Sequence, residues 1–315
     1  MKMDLFIIGN GFDCWQGLPT TYNKYKEFFD SSDKQWLRKY NIKTYFDTRQ
    51  GTLNDIDIVY GESYYFGNEF GNSNTFWSSF EEGLGKISQD NIDWLWDKDD
   101  SLNELDQTIA NIKNVLYDSF KEWVQSIKID YCSNNYNFGD KNLFINFNYT
   151  ETLERRFKVN KKRICYIHGN ASMPNSIIVG HGNNEFDQID FNYALLFGGY
   201  VKLNYFADQL LKATYKNPDN GIRKIHSFFV SNNIPYDSID RILFLGHSFG
   251  MADYKYFEFL KNKLSSKARW HIVIFDYNLE TFNNVLSFAS KTQLKKLSLY
   301  HNIDDCLQIN GFINK

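Results

Sequence analysis

The sequence predicts an α/β fold: a Rossmann-like, mainly parallel sheet with helices on both faces and a helical insertion after the first strand-helix unit. Three observations carry this. Short apolar runs at Leu5–Ile8, Leu143–Ile145, Arg163–Ile167, Arg241–Leu245 and Trp270–Phe275 alternate with segments of helical character. That alternation is the pattern of parallel strands joined by crossovers. Most of these runs close in Gly, Asn or His, the residues of strand-end turns. Between the first and second runs the chain changes character for about a hundred residues, too many for a simple connection.

Leu5–Ile8 ends at Gly9 and reads as a strand buried on both faces. Gly9 and Gly11 can take positive φ and lack a Cβ, so a ligand can approach the backbone there. Thr20 or Thr21 caps a helix through Phe29, with Tyr22, Tyr25 and Phe29 on one face. Thr44–Ser73, rich in Gly, Asn and Tyr, reads as a long irregular segment, and Asn74–Ile87 and Ile92–Trp96 as short helices. Ser101 and Glu104 form a capping box. Leu102, Leu105, Ile109, Ile112, Leu116, Phe120, Trp123 and Ile127 then follow at helical spacing. Residues 31–135 are therefore expected to form a mainly helical insertion within a single α/β domain spanning 1–315.

Lys141–Asn146 returns to strand character, and Thr150 is placed to cap a helix over Glu151–Phe157. Strands follow at Arg163–Ile167, Ile177–Val179, Arg241–Leu245, Trp270–Phe275 and Lys296–Tyr300. Helices are expected at Phe191–Tyr215, Gly221–Val230, Asp253–Leu264 and Leu279–Ala289.

Composition narrows the function. The net charge of −3 argues against an electrostatic nucleic-acid binder. The four cysteines, Cys14, Cys132, Cys165 and Cys306, are scattered and form no Cys-x-x-Cys pair, so neither a zinc site nor a disulfide framework is expected. The N-terminal apolar run is too short for a signal peptide and no run reaches membrane length. The expectation is a cytoplasmic protein without membrane or metal.

Four strand ends carry chemistry-bearing residues: Gly9–Asp13, Asn146–Thr150, His168-Gly169 and Gly246–Asp253. In a parallel sheet they share one edge, where ligands bind. His168 at a strand tip suits proton transfer. Asn148 can hold a sugar hydroxyl or orient a water. Asp13 and Asp253 can bond a ribose or cap a helix. His181, between Gly180 and Gly182, is a further histidine of this kind. Gly246–Gly250 also spells Gly-x-Ser-x-Gly, the nucleophile elbow of serine hydrolases, and Asp276 and His301 follow Ser248 in the order acid, then histidine. A Ser248 hydrolase is thus a rival reading.

The chain resembles the AbiH-type abortive-infection proteins of bacterial phage defence. The resemblance runs through Ile-Ile-Gly-Asn-Gly-Phe-Asp at 7–13, Gly-Leu-Pro-Thr at 17–20, Phe-Asn-Tyr-Thr at 147–150, Ile-His-Gly at 167–169 and Gly-His-Ser-Phe-Gly-Met-Ala-Asp at 246–253. The same blocks are similar, more distantly, to sirtuin-like NAD-binding domains, including those that destroy NAD in phage defence. That resemblance implies NAD as substrate or ligand. It implies that Gly9, Asn10, Gly11, Phe12 and Asp13 line the cofactor, with Gly9 and Gly11 facing pyrophosphate or ribose. Asn148 would position the nicotinamide ribose and a water, and His168 would be the general base. Gly246, His247, Ser248 and Asp253 would contact the adenosine half. The expected activity is cleavage of the nicotinamide–ribose bond. Beside it stand the Ser248 hydrolase and a catalytically silent nucleotide-sensing or scaffold protein, with a homo-oligomer or a defence-system partner engaged through the insertion.

Overall fold

The computed structural model describes residues 3–31, 35–42, 44–47, 51–54, 80–85, 102–131, 135–182, 200–274 and 278–313. Two compact units emerge, one of residues 1–20, 124–178 and 217–315, the other of residues 21–123 and 179–216.

The first unit is a doubly wound α/β sheet. Its strands are β1 (Met3–Ile8), β2 (Leu143–Asn146), β3 (Ile164–Tyr166), β4 (Ile239–Leu245), β5 (Arg269–Val273) and β6 (Leu297–Tyr300). They lie in the order β3-β2-β1-β4-β5-β6, and every pairing between them is parallel. Its helices are α1 (Asn10–Trp15), α2 (Thr152–Phe157), α3 (Pro218–Ser231), α4 (Tyr254–Lys263), α5 (Leu279–Lys291) and α6 (Ile303–Ile309).

Side-chain alternation along the strands builds a core on each face. Leu5, Ile7, Ile242 and Phe244 point to one side and meet Ile225 and Phe229 of α3, Phe257 and Leu260 of α4, and Val285 and Phe288 of α5. Phe6, Ile8, Leu243 and Leu245 point to the other and meet Phe12 of α1, Leu153 of α2, and Ile303 and Leu307 of α6. Apolar runs without a polar face are what a sheet covered on both sides requires. The sheet reverses direction of winding between β1 and β4. Ligands of open α/β sheets bind at such a switch point, outside the carboxyl ends of the strands.

The second unit is built on helices. Tyr22–Ser31 is capped by Thr21, whose Oγ1 accepts from the Lys24 amide at 3.4 Å. The long helix Leu102–Ser126 buries Leu105, Ile109, Ile112, Leu116, Phe120 and Trp123, the stripe its spacing predicts. Tyr25 packs against Phe80, Phe120 and Trp123, and its hydroxyl reaches Ser119 Oγ at 2.7 Å. A buried phenol needs such a partner.

Several elements differ from expectation. A helix opens at Asn10, straight after β1, rather than first near Thr21. Thr44–Asp47 and Gly51–Asn54 pair as an antiparallel hairpin inside the segment read as irregular. Ile177–Val179 forms no strand; a 3₁₀ turn over Pro174–Ser176 leads into it, and the Ile178 amide bonds the His168 carbonyl at 2.9 Å instead of a sheet neighbour. Thr150 does not cap α2. Glu151 stands at the cap, and the Thr150 hydroxyl is drawn away by Asp13. The helix read from Phe191 is described from Tyr200 to Thr214. Ser101, residues 86–100 and Asp276 lie outside the described residues.

Candidate active site at the carboxyl edge of the sheet

The turn after β1 and the turn after β4 dock directly on one another. Gly9 N donates to Leu245 O at 3.0 Å and Gly11 N to Gly246 O at 2.8 Å, while Phe12 N bonds back to Gly9 O at 2.9 Å. A Cβ on Gly9 would lie 2.6 Å from Gly246 O and one on Gly11 2.8 Å from Gly246 Cα. Gly246 itself has φ +71°, where a side chain is strained, and a Cβ there would lie 2.1 Å from Phe12 N. Neither Gly9 nor Gly11 uses positive φ. The structure therefore gives these glycines a packing role, and their amides serve protein carbonyls. Asn10 and Ser248 remain exposed at the two turn tips, and Gly11 and Gly246 are half-buried. The Phe12 ring is buried in the core, 5.4 Å from Trp15 and 5.3 Å from Phe157.

Asn148 lies just beyond β2. Its Nδ2 donates to Gly9 O at 3.0 Å, and its own amide is held by Asn146 Oδ1 at 3.0 Å. The side chain thus ties the end of β2 to the β1 turn. Asp13, 1% exposed, receives a hydrogen bond from Thr150 at Oδ2, and Thr150 in turn meets Thr152 Oγ1 at 3.1 Å. Asp13 Oδ1 is buried with no hydrogen-bond partner. Burial pushes the carboxyl up to about 6, against the opposing pull of Thr150, Thr152, Asn148 and the more distant Arg156. Sequence reasoning missed this cluster; the only trace is the Thr-x-Thr spacing after Asn148.

His168 follows β3 and is 3% exposed. Gly169, at φ +82°, turns the chain so tightly that a Cβ would lie 2.2 Å from Ser176 O. The Lys224 ammonium from α3 caps Ile167 O at 2.9 Å beside it. The imidazole packs against Phe147, Tyr149 and Tyr256. Its Nε2 lies 3.9 Å from Asp253 Oδ1, while Asp253 Oδ2 lies 3.2 Å from His247 Nε2. Asp253 bridges the two histidines, an arrangement the linear order does not reveal. His247 Nδ1 accepts the Phe249 amide at 3.0 Å, which places a neutral ring's proton on Nε2, facing the carboxylate. Asn148, His168, Asp13, His247 and Asp253 are thus brought to one edge by β1 to β4.

Other residues singled out in the sequence go elsewhere. His181 belongs to the second unit, where it is buried and its Nε2 bonds Leu211 O at 3.0 Å. His301 is exposed after β6. In the 246–250 turn the positive φ values fall on Gly246 and Phe249, not on Ser248. A nucleophile elbow needs its strain at the serine and a helix directly behind it; here a 3₁₀ turn over Met251–Asp253 intervenes.

A polar groove of about 390 Å³ adjoins Thr150, lined by Lys128, Asp130, Glu151, Arg155 and Ser172 among others. That volume falls in the range of small-ligand sites. Among the described residues, no helix is long and apolar enough to cross a membrane.

Fold and edge together define a doubly wound α/β protein with a histidine–carboxylate cluster at its switch point. A family model for bacteriophage abortive infection AbiH matches residues 5–274. The chain belongs to that family and is a phage abortive-infection defence protein. No curated protein and no solved structure matches it significantly.

Proposed function

We propose that the carboxyl edge of the sheet binds NAD and cleaves its nicotinamide–ribose bond, depleting the nucleotide when phage defence is triggered. The observation that carries this is the convergence of Asn148 and His168 on neighbouring strand ends, with Asp253 3.9 Å from the His168 imidazole. Cleavage breaks the C1′–N bond, and the electron pair goes to the nicotinamide nitrogen. Water then adds to the oxocarbenium-like C1′ and gives up a proton. His168 takes that proton, and Asp253 stabilises the imidazolium that forms. Asn148, anchored on Gly9 O, holds the ribose. The groove beside Thr150 offers Lys128 to phosphate and Asp130 to sugar hydroxyls, with Arg155 and Glu151 paired to each other at 3.2 Å. It is lined by neither Asn148 nor His168, so it serves this reading only as room for the remote part of the nucleotide.

The test is direct. Purified protein, alone and with lysate of phage-infected cells, is incubated with NAD, and free nicotinamide is measured. Release that disappears in His168→Ala supports the proposal. No release under either condition, with no NAD binding, would sink it.

A further inference from the structure

The far side of the sheet from β3 carries a surface that the edge chemistry does not use. Trp270 N donates to Lys296 O at 2.8 Å and Ile274 N to Tyr300 O at 2.8 Å. Even-numbered residues of β6 therefore turn their backbone inward to β5. By strand alternation, Leu297 and Leu299 aim their N–H and C=O groups outward. No further strand pairs with β6 among the described residues. Leu299 is 39% exposed, and Leu297, on the same face, packs on the α3–α5 side.

Helix α5 extends this edge. One flank faces the sheet interior: Asn284 O accepts from the Tyr254 hydroxyl at 2.7 Å, and the Lys291 ammonium sits 5.6 Å from the Tyr254 ring. At 100° per residue, Leu279, Phe282 and Leu286 lie on the opposite flank, toward β6. Leu279 is 74% and Leu286 43% exposed. An open strand edge bordered by an apolar helix stripe is an association surface, not an ordinary protein rim.

We infer that this edge pairs with a second copy of the chain, β6 against β6, antiparallel about a two-fold axis through Ser298. The sequence around the axis is self-complementary. Leu297 of one copy faces Leu299 of the other, both presenting outward backbone groups, so each pair exchanges two hydrogen bonds. Ser298 faces its own counterpart. Charge selects the same direction: the exposed Lys295 and Lys296 precede the strand and the exposed Asp305 follows it, while Asp304 is held inward by Trp15 Nε1 and the Tyr136 hydroxyl. An antiparallel copy sets the basic end of one against the acidic end of the other, whereas a parallel copy would stack like on like. The α5 stripes of both copies then close over one side of a continuous sheet. A two-fold interface of this kind uses the same patch twice and stops at the dimer.

The register makes a sharp test. Residues facing across the axis at Ser298 form a non-hydrogen-bonded pair, with Cα atoms about 4.5 Å apart, within disulfide range. Ser298→Cys should cross-link the full-length protein into a covalent dimer under mild oxidant, while the wild type, treated alike, stays uncross-linked. Light scattering on the wild type should give twice the protomer mass. Phe282→Glu should weaken the dimer by about tenfold or more. Leu299→Pro, which removes the outward N–H and the Leu299 side chain from the paired edge, should do the same. Leu279→Glu, at an exposed position, gives a readout free of folding effects, and circular dichroism checks all variants. A wild type that is monomeric at every concentration overturns the inference. So does a dimer that survives both glutamate variants, or one in which Ser298→Cys forms no cross-link.

Discussion

Asp253 meets His247 at 3.2 Å, and the Phe249 amide fixes which nitrogen of that ring carries the proton. A carboxylate held on one oxygen by a neutral imidazole presents its other oxygen toward His168. His247 thus bears on His168 through Asp253 and through the Phe147 ring that both imidazoles contact, as a positioning residue.

Under the proposed chemistry, Asp253→Asn should lower NAD cleavage by about 10²-fold or more, because the His168 imidazolium loses its counter-charge. His168→Ala should abolish cleavage and toxicity in cells yet leave nucleotide binding measurable. Asn148→Ala should lose both activity and binding, since its amide anchors the β1 turn as well as the ribose. Nicotinamide release and isothermal calorimetry on the same preparations separate these outcomes.

Asp13 should make stability fall as pH rises through a defined window. Its carboxyl titrates near 3.8 when unfolded and at about 6 in the fold. Between those values the folded state binds more protons than the unfolded one, so stability falls with rising pH and levels off above about 6. The loss is on the order of 3 kcal/mol for a shift of this size. Asp13→Asn, which keeps an acceptor for Thr150, should lack this fall. Urea unfolding of both proteins across the window checks it, and parallel pH profiles would contradict the assignment.

Gly246→Ala should be among the most damaging single-methyl changes in the first unit. It forces a side chain into positive φ and drives a Cβ against the Phe12 amide at the docked turns. A loss of several kcal/mol or insoluble protein is expected. Gly17→Ala, also at positive φ but with open space around it, should cost about 1 kcal/mol. Thermal melts of the two variants rank them.

Ser248→Ala should leave cleavage chemistry intact and act, if at all, on nucleotide affinity. An active-site serine probe should not label the wild type. Labelling that vanishes in both Ser248→Ala and His301→Ala, with His168→Ala unaffected, would replace the glycohydrolase reading with the hydrolase.

Local pattern was enough to read much of this molecule. Apolar runs such as Leu5–Ile8 and Leu143–Ile145 declare strands covered on both faces, because such a residue run has no solvent-facing side. The stripe from Leu105 to Trp123 declares a helix, because its spacing matches one turn in 3.6 residues. A shared edge for Gly9, Asn148, His168 and Gly246 follows from strands that run parallel. What the linear order withheld depends on through-space neighbours. Whether a glycine serves a ligand or a packing contact is decided by what stands opposite it, and opposite Gly11 stands Gly246. The partner of Asp13 is Thr150, and the partner of Asp253 is His247, because hydrogen bonds select by distance and burial rather than by spacing. Ile177–Val179 has strand composition but pairs with no strand, because the turn at Gly169 brings the Ile178 amide onto the His168 carbonyl instead. The chain alone thus determined its layers and the edge that carries its polar residues. Only the tertiary structure decided which of those residues touch, since a buried carboxylate or imidazole takes its character from the groups that replace its water.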